Sequence, residues 1–410
     1  MFKTYIQTYY FIVLITLAFL LPLHPKLIPP AIIALTLGSF FLIDIKEILK
    51  NKIVMAFFAF YLLHIVSLIY TANIDSGLFD LQVKLSLIIF PVALFPVAKL
   101  STDQIKKIFF YFIFGCVVAL IICLHIAYWN YIYEQWCIKQ SLWSDNYGIN
   151  FFISSRFSYF IHPSYFSMYL CLALTILLTV ELNIRYKIIF KICASALLIL
   201  GIILLASKAG IIVLALLILY FLYSLKNKIY SLLILLFFIF SITSLFYFSP
   251  EFGFKFKSMF SVFNSEKSDI KTEESSESRV NIWSSALEVV TQNPITGYGT
   301  GDVSDKLKEV YAKNGYTGLE EKSLNAHNQF LQTLIGLGLP GLILLLYILF
   351  RQFKTWLVKR EIIGIALIVI LTFNFLVESV IETQAGVVFF SFWLMFFSYS
   401  TMSQGETKNQ

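Results

Sequence analysis

Few side chains in this 410-residue sequence can carry charge, and the isolated ones mark where chemistry could occur. Four basic residues, Arg156, Lys208, Arg279 and His327, stand near the ends of apolar runs or inside the polar stretch 250–328. His162, Trp283, Asn328 and Glu378 occupy the same neighbourhoods. Basic groups placed this way could hold an anion such as a phosphate, or could reach from span ends to lipid headgroups; the residues alone leave both readings open. His327 immediately precedes an apolar run, and a neutral imidazole there could accept a proton as a general base; a hydrogen-bonded structural histidine is the other reading. The glycines at 297, 299 and 301 could offer amides to an anion or serve only as a flexible turn. They follow no strand, so they are not a dinucleotide fingerprint.

The elements that must position these groups are set by composition. With 59% hydrophobic and 13% charged residues, the chain has the make-up of a polytopic membrane protein. Its apolar runs are roughly 17–23 residues long without strict alternation, which points to helices rather than a barrel. The net charge of +7 fits the basic excess of cytoplasmic loops and gives no reason to expect nucleic acid. Five cysteines (Cys116, Cys123, Cys137, Cys171, Cys193) lie mostly in apolar runs without metal-ligand spacing and read as small packing residues. No metal motif, phosphate-binding GxxxxGK[ST] or serine-histidine-acid arrangement is found, and no cofactor is expected.

The expectation is therefore an all-α polytopic membrane protein with about twelve spans. They centre near residues 15, 35, 61, 88, 118, 171, 196, 215, 238, 341, 369 and 391. This divides the chain into spans one to nine (1–248), one large extracytoplasmic loop with short helices (249–326), spans ten to twelve (327–400) and a cytoplasmic tail (401–410). One set of loops is rich in Lys and Arg, for example Arg351, Lys354, Lys359 and Arg360, and both termini fall on that basic side. The positive-inside rule then places both termini in the cytoplasm.

Within the loop, Phe252 to Phe263 with Lys255 and Lys257 suit the membrane interface, and 264–277 is expected to be a mobile strap. Ser278 reads as an N-cap of a helix reaching Gln292, with Val280, Trp283, Leu287 and Val290 as its packing face. Arg279 in its first turn opposes the helix dipole and calls for a partner, an anionic ligand being one candidate. Asn293-Pro294 stops that helix, and a second is expected over Ser304–Lys313. Gly336, Gly338, Pro340 and Gly341 allow close helix approach or a bend. Asp80 and Lys84, one turn apart, read as a neutralising pair, and His64 and His125 as bonded core residues. Glu378 and Glu382 share the same spacing at the end of the eleventh span, where a cation, sugar hydroxyls or the interface itself could explain them.

Ser278-Arg279-x-x-x-Trp283, Asn293-Pro294-x-x-Gly297-x-Gly299, His327-Asn328-x-x-Leu331 and Gly336-x-Gly338-x-x-Gly341 together resemble the O-antigen ligase and polymerase superfamily. Arg156 with His162-Pro163-Ser164-Tyr165, and Ser207-Lys208-Ala209-Gly210, look like two further stretches of that pattern. The resemblance implies a bacterial inner-membrane enzyme with its large loop in the periplasm. It implies an inverting, metal-independent glycosyl transfer from an undecaprenyl-diphosphate-linked glycan to a hydroxyl acceptor, either lipid A–core or another glycan. Carried over residue by residue, Arg279 would bind diphosphate and His327 would be the base, with Lys208 and Arg156 as further diphosphate contacts. Beside these, His162, Trp283, Asn328 and Glu378 are candidate substrate contacts. Lys208 departs from the arginine of many relatives and offers a point charge rather than a bidentate fork. Ligation to lipid A–core is the leading expectation, polymerisation the alternative, and a lipid-linked glycan flippase the rival from another class.

Overall fold

The computed structural model describes residues 2–139, 150–182, 184–224, 243 and 276–406. Among them every regular element is helical. The first part comprises α1 (Phe2–Leu20), α2 (Ile28–Ser39), α3 (Ile45–Lys50), α4 (Lys52–Ser67), α5 (Ile74–Lys84), α6 (Ser86–Ala93) and α7 (Thr102–Lys139). Then come α8 (Ser154–Phe157), α9 (Pro163–Thr179), α10 (Lys187–Leu204) and α11 (Lys208–Ser224). The polar segment forms α12 (Ser276–Gln292), α13 (Val303–Lys313) and α14 (Thr317–Glu321), and the chain closes with α15 (Gln329–Lys359), α16 (Ile362–Phe375) and α17 (Gln384–Glu406).

Among the described residues, five stretches are long and apolar enough to cross a membrane, α1, α7, α10 and α15 among them, and five more apolar helices are shorter. Each expected span centre falls on a helix except that near 238, which lies outside the described residues, as do Phe252–Phe263 and 264–275. The turns between helices follow local chemistry. Asp44 caps α3 and Asn51 caps α4 through side-chain oxygens, Asn73 caps α5, and Pro163 opens α9 where its missing N–H costs nothing.

Two helices form the centre. All side chains from Pro163 to Leu177 of α9 are buried, and so are those from Val387 to Ser400 of α17. A helix apolar on every side belongs inside a bundle. Trp393 lies against Phe112 with ring centres 4.5 Å apart, and the Tyr169 ring meets Phe389 at 4.7 Å. Tyrosine hydroxyls at this depth find carbonyls: Tyr169 donates to Ala385 and Tyr399 to Pro91. The cysteines at 116, 123 and 171 are buried packing residues, whereas Cys193 is exposed.

The polar segment docks onto a broken helix. At Gly338 the backbone of α15 leaves helical geometry (φ 62°, ψ −160°), so the Ile335 carbonyl loses its partner within the helix, and the Gly336 carbonyl has none because Pro340 lacks an N–H. Tyr298 and Gly299 supply them, donating their N–H groups at 2.8 and 2.9 Å, while Leu339 donates to the Pro294 carbonyl at 3.0 Å. Irregular backbone inside an apolar layer survives only when paired in this way. A β-carbon at Gly338 would collide with the Ile295 carbonyl, so glycine is required for both conformation and space. Asp302 adds a tether, accepting from the amides of Ala72 and Asn73 at 2.8 and 2.7 Å.

Three expectations are corrected. Helix α12 starts at Ser276, so Ser278 lies inside it rather than capping it. Its buried stripe is Ile282, Ala286 and Val289, while Val280 and Leu287 are exposed. Trp283 and Val290 of the expected face do pack against this second small core, but the stripe is centred on Ile282 because the core includes Leu307, Val310 and Tyr311 of α13. His125 is exposed on α7 beside Trp129 rather than bonded in the core.

Candidate active site

At the end of the bundle where α9, α11 and α15 begin and α16 ends, a cavity of about 140 Å³ opens. Arg279, His327, Lys208, His162 and Glu378 all line it, together with Ser154, Ser164 and Ser207. These residues come from five separate stretches of chain. The two central helices frame the site: α9 contributes Ser164, and the connection into α17 contributes Glu378. Placement on such packed elements holds side chains within narrow limits.

Glu378 is the hub. Its Oε1 accepts from Arg279 Nη2 at 3.2 Å and from Ser164 Oγ at 3.1 Å, and its Oε2 lies 3.2 Å from His327 Nδ1. The carboxylate side chain is 6% exposed, against 17% for Arg279 and 22% for His327, so the acid is sealed below while its two partners reach the cavity. Burial pushes the Glu378 carboxyl up. The hydrogen bond and charge of His327, with Arg279 and then His162, more than offset that and hold it below its usual value. A carboxylate can only accept, so His327 donates through Nδ1, and the ring in its neutral form then keeps a lone pair on Nε2.

The partner that Arg279 needed at the start of α12 is thus a protein carboxylate. Sequence reasoning offered an anionic ligand, because Glu378 lies 99 positions away and no local spacing joins them. A guanidinium has five N–H donors, so a single bond to Glu378 leaves others for an anion in the cavity.

His327 itself sits in left-handed backbone (φ 42°). Ser154 (φ 60°) and Ala206 (φ 49°), also on the cavity wall, do the same. Each such non-glycine conformation costs about 1–3 kcal/mol and is held only by its surroundings. Three around one cavity set it apart from the regular helices beneath. Trp283 donates its indole N–H to the His327 carbonyl at 3.4 Å and thereby supports that strained residue from α12. Asn328 caps α15, accepting from the amides of Phe330 and Leu331 at 3.0 and 3.1 Å, and donates to the Leu376 carbonyl at 3.2 Å. Its side chain serves as a cap, and Asn328 is not among the residues lining the cavity. Arg156 is exposed on α8 and is not among the residues lining the cavity. Ser164 was missed as a site residue; the only signal was its place in the His162-Pro163-Ser164-Tyr165 stretch.

The fold and site define a helical membrane protein with a guanidinium and an imidazole bonded to one buried carboxylate, and an ammonium on the same cavity wall, at the end of its bundle. Residues 193–346 match the family model described as O-antigen ligase. That stretch runs from α10 into α15 and covers Lys208, Arg279, Trp283 and His327, but not His162 or Glu378. The match supports the O-antigen ligase-like superfamily for this chain and indicates a membrane enzyme of the ligase or polymerase type. No curated protein matches it.

Proposed function

We propose that this protein transfers a glycan from an undecaprenyl-diphosphate carrier to a hydroxyl acceptor at the periplasmic face of the bacterial inner membrane, with both chain termini in the cytoplasm. The observation that carries the reading is Glu378 holding Arg279 and His327 against one cavity that Lys208 also lines. The acceptor oxygen attacks the anomeric carbon, and a new glycosidic C–O bond forms as the bond to the diphosphate breaks. The electron pair leaves on the phosphate oxygen, and the acceptor proton passes to His327 Nε2. Attack opposite the leaving group inverts the anomeric centre.

A diphosphate is already a good leaving group, so the protein's task is to position reactants and to meet developing charge. Arg279 and Lys208 face the phosphates. Glu378 fixes the His327 tautomer and stabilises the imidazolium as it forms. The transfer needs no metal in this scheme, since the two cations take the charge. Arg156, outside the cavity wall, has no part in it. A lipid A–core sugar is the acceptor we favour; a second lipid-linked glycan would make the enzyme a polymerase.

A deletion strain complemented with wild type, His327→Ala or Arg279→Ala tests this. Lipopolysaccharide and lipid-linked glycans are run side by side. Long glycans stranded on the carrier with bare lipid A–core are expected of the variants if the enzyme is a ligase; single repeat units on the core identify a polymerase. Normal patterns from both variants would sink the assignment, and glycans trapped on the cytoplasmic side would point to a flippase.

A further inference from the structure

A second set of ionisable groups lies apart from the cavity. Lys84, at the end of α5, is 1% exposed. Its ammonium donates to Asp80 on the same helix and to Glu382 Oε2 at 2.6 Å. Each carboxylate then reaches a different part of the chain. Asp80 Oδ2 accepts from the Thr300 hydroxyl, in the glycine turn of the polar segment. Glu382 Oε1 accepts from Gln329 Nε2 at 3.3 Å, and Gln329 Oε1 accepts from the Ile381 amide at 2.7 Å. Thr300 is braced further by His64 Nδ1 at 3.0 Å and by the Ser67 hydroxyl, which accepts from its amide at 3.1 Å.

The geometry matters because of what the tethered segments carry. Gln329 follows His327 by two residues. Glu382 ends the single 3-10 turn, Val380–Glu382, that separates it from Glu378. The Thr300 turn is continuous with the strands of backbone that pair with the break in α15. We infer that Lys84 is the positioning residue of the site: through Asp80 and Glu382 it fixes the polar segment, the start of α15 and the Glu378 connection relative to one another. This rests on the function proposed above, in which His327 and Glu378 must act together.

The physical case is the low dielectric. Two partly buried carboxylates flank an ammonium that is 1% exposed, and the ammonium has no water to turn to if either is lost. The three segments therefore share one anchor that does not relax by small steps. A site whose base and carboxylate sit on different segments depends on such an anchor, since displacement of about 1 Å can cost a hundredfold in rate.

The test uses the full-length protein in lipid nanodiscs, as wild type, Glu382→Gln, and the neutral set Asp80→Asn/Lys84→Met/Glu382→Gln. Amide hydrogen exchange is followed along the chain, and transfer is assayed with a lipid-linked glycan donor. Exchange is expected to rise at 297–301, 327–332 and 378–383 while the central helices keep their protection. kcat is expected to fall about tenfold or more, with KM for the donor little changed. Wild-type exchange at those three segments overturns the inference. Faster exchange there with unchanged kcat overturns it as well, and leaves Lys84 a role in stability alone. If the neutral set unfolds, Glu382→Gln decides. His327→Ala run alongside separates the two proposals: wild-type transfer from it would remove the functional reading, while the exchange measurement would still decide whether Lys84 holds the segments.

Discussion

Glu378 and Glu382 are four residues apart and end in opposite surroundings. Glu378 meets Arg279, His327 and Ser164 on the wall of a cavity, and each of those basic groups keeps part of its surface open. Glu382 meets Lys84 and Gln329 in a cluster whose ammonium is 1% exposed. Both constellations contain cations and carboxylates at hydrogen-bond distance, so charge pairing alone does not distinguish a working site from a structural one. What the groups line does. Arg279, His327 and Glu378 border a cavity, whereas Lys84, Asp80 and Glu382 border none of it and bond to one another, to Thr300 and to Gln329.

The largest effect is expected where the open cluster loses its hub. Glu378→Gln keeps the shape but removes the charge that orients His327. It should slow transfer by roughly 10²–10⁴-fold, the usual contribution of a positioned base. His327→Ala should cost about as much, and the double variant little more, because the two act as one unit. Additive losses in a kinetic cycle would break the pairing of acid and base.

Next comes the cation. Arg279→Lys keeps charge but loses the fork that can hold Glu378 and an anion together. A drop of roughly 10–100-fold in kcat/KM is expected, the worth of a charge-assisted hydrogen bond. Lys208→Ala should mainly raise KM for the donor.

Gly338→Ala tests what both clusters share, their attachment to the polar segment. With positive φ and the Ile295 carbonyl in the way, alanine should destabilise by roughly 1–3 kcal/mol in thermal melts. Gly315→Ala is the control: its φ is also positive, but nothing lies within 4 Å, so only the conformational cost of about 1 kcal/mol applies.

The smallest effect concerns pH. Glu378 is held below its ordinary value of 4.5, so its ionised form stabilises the fold above that value. The contribution is present at neutral and weakly acid pH and is lost as pH falls below 4.5 through the folded value. Melting in nanodiscs should therefore show an acid-limb drop that Glu378→Gln abolishes. Survival of the drop in that variant would assign it to another carboxylate.

Hydropathy carried most of the helical architecture, because a span must bury a long apolar run whatever its neighbours are. Isolated charges carried much of the site: Arg279, His327, Lys208, His162 and Glu378 were all legible as residues out of place in an apolar chain. Their connections were not. His327 and Glu378 are 51 positions apart and Lys84 and Glu382 are 298 apart, and one-dimensional spacing holds no record of such pairs. Glu378 and Glu382 even looked like helical neighbours, whereas the connection after α16 sends them apart. The face of α12 was misjudged at Val280 and Leu287 for a similar reason. Its stripe is chosen by α13, a partner that lies beyond the glycine turn.

The break at Gly338 also bears on how the chain is assembled. The run from Gln329 to Lys359 is one apolar segment, yet no helix drawn through it satisfies itself, since Pro340 offers no N–H to the Gly336 carbonyl. Tyr298 and Gly299 pair the Ile335 and Gly336 carbonyls instead. Docking of the polar segment therefore completes the hydrogen bonding of α15. A chain whose polar segment had not docked would keep unpaired carbonyls within an apolar layer, so spanning the membrane would not by itself finish the fold.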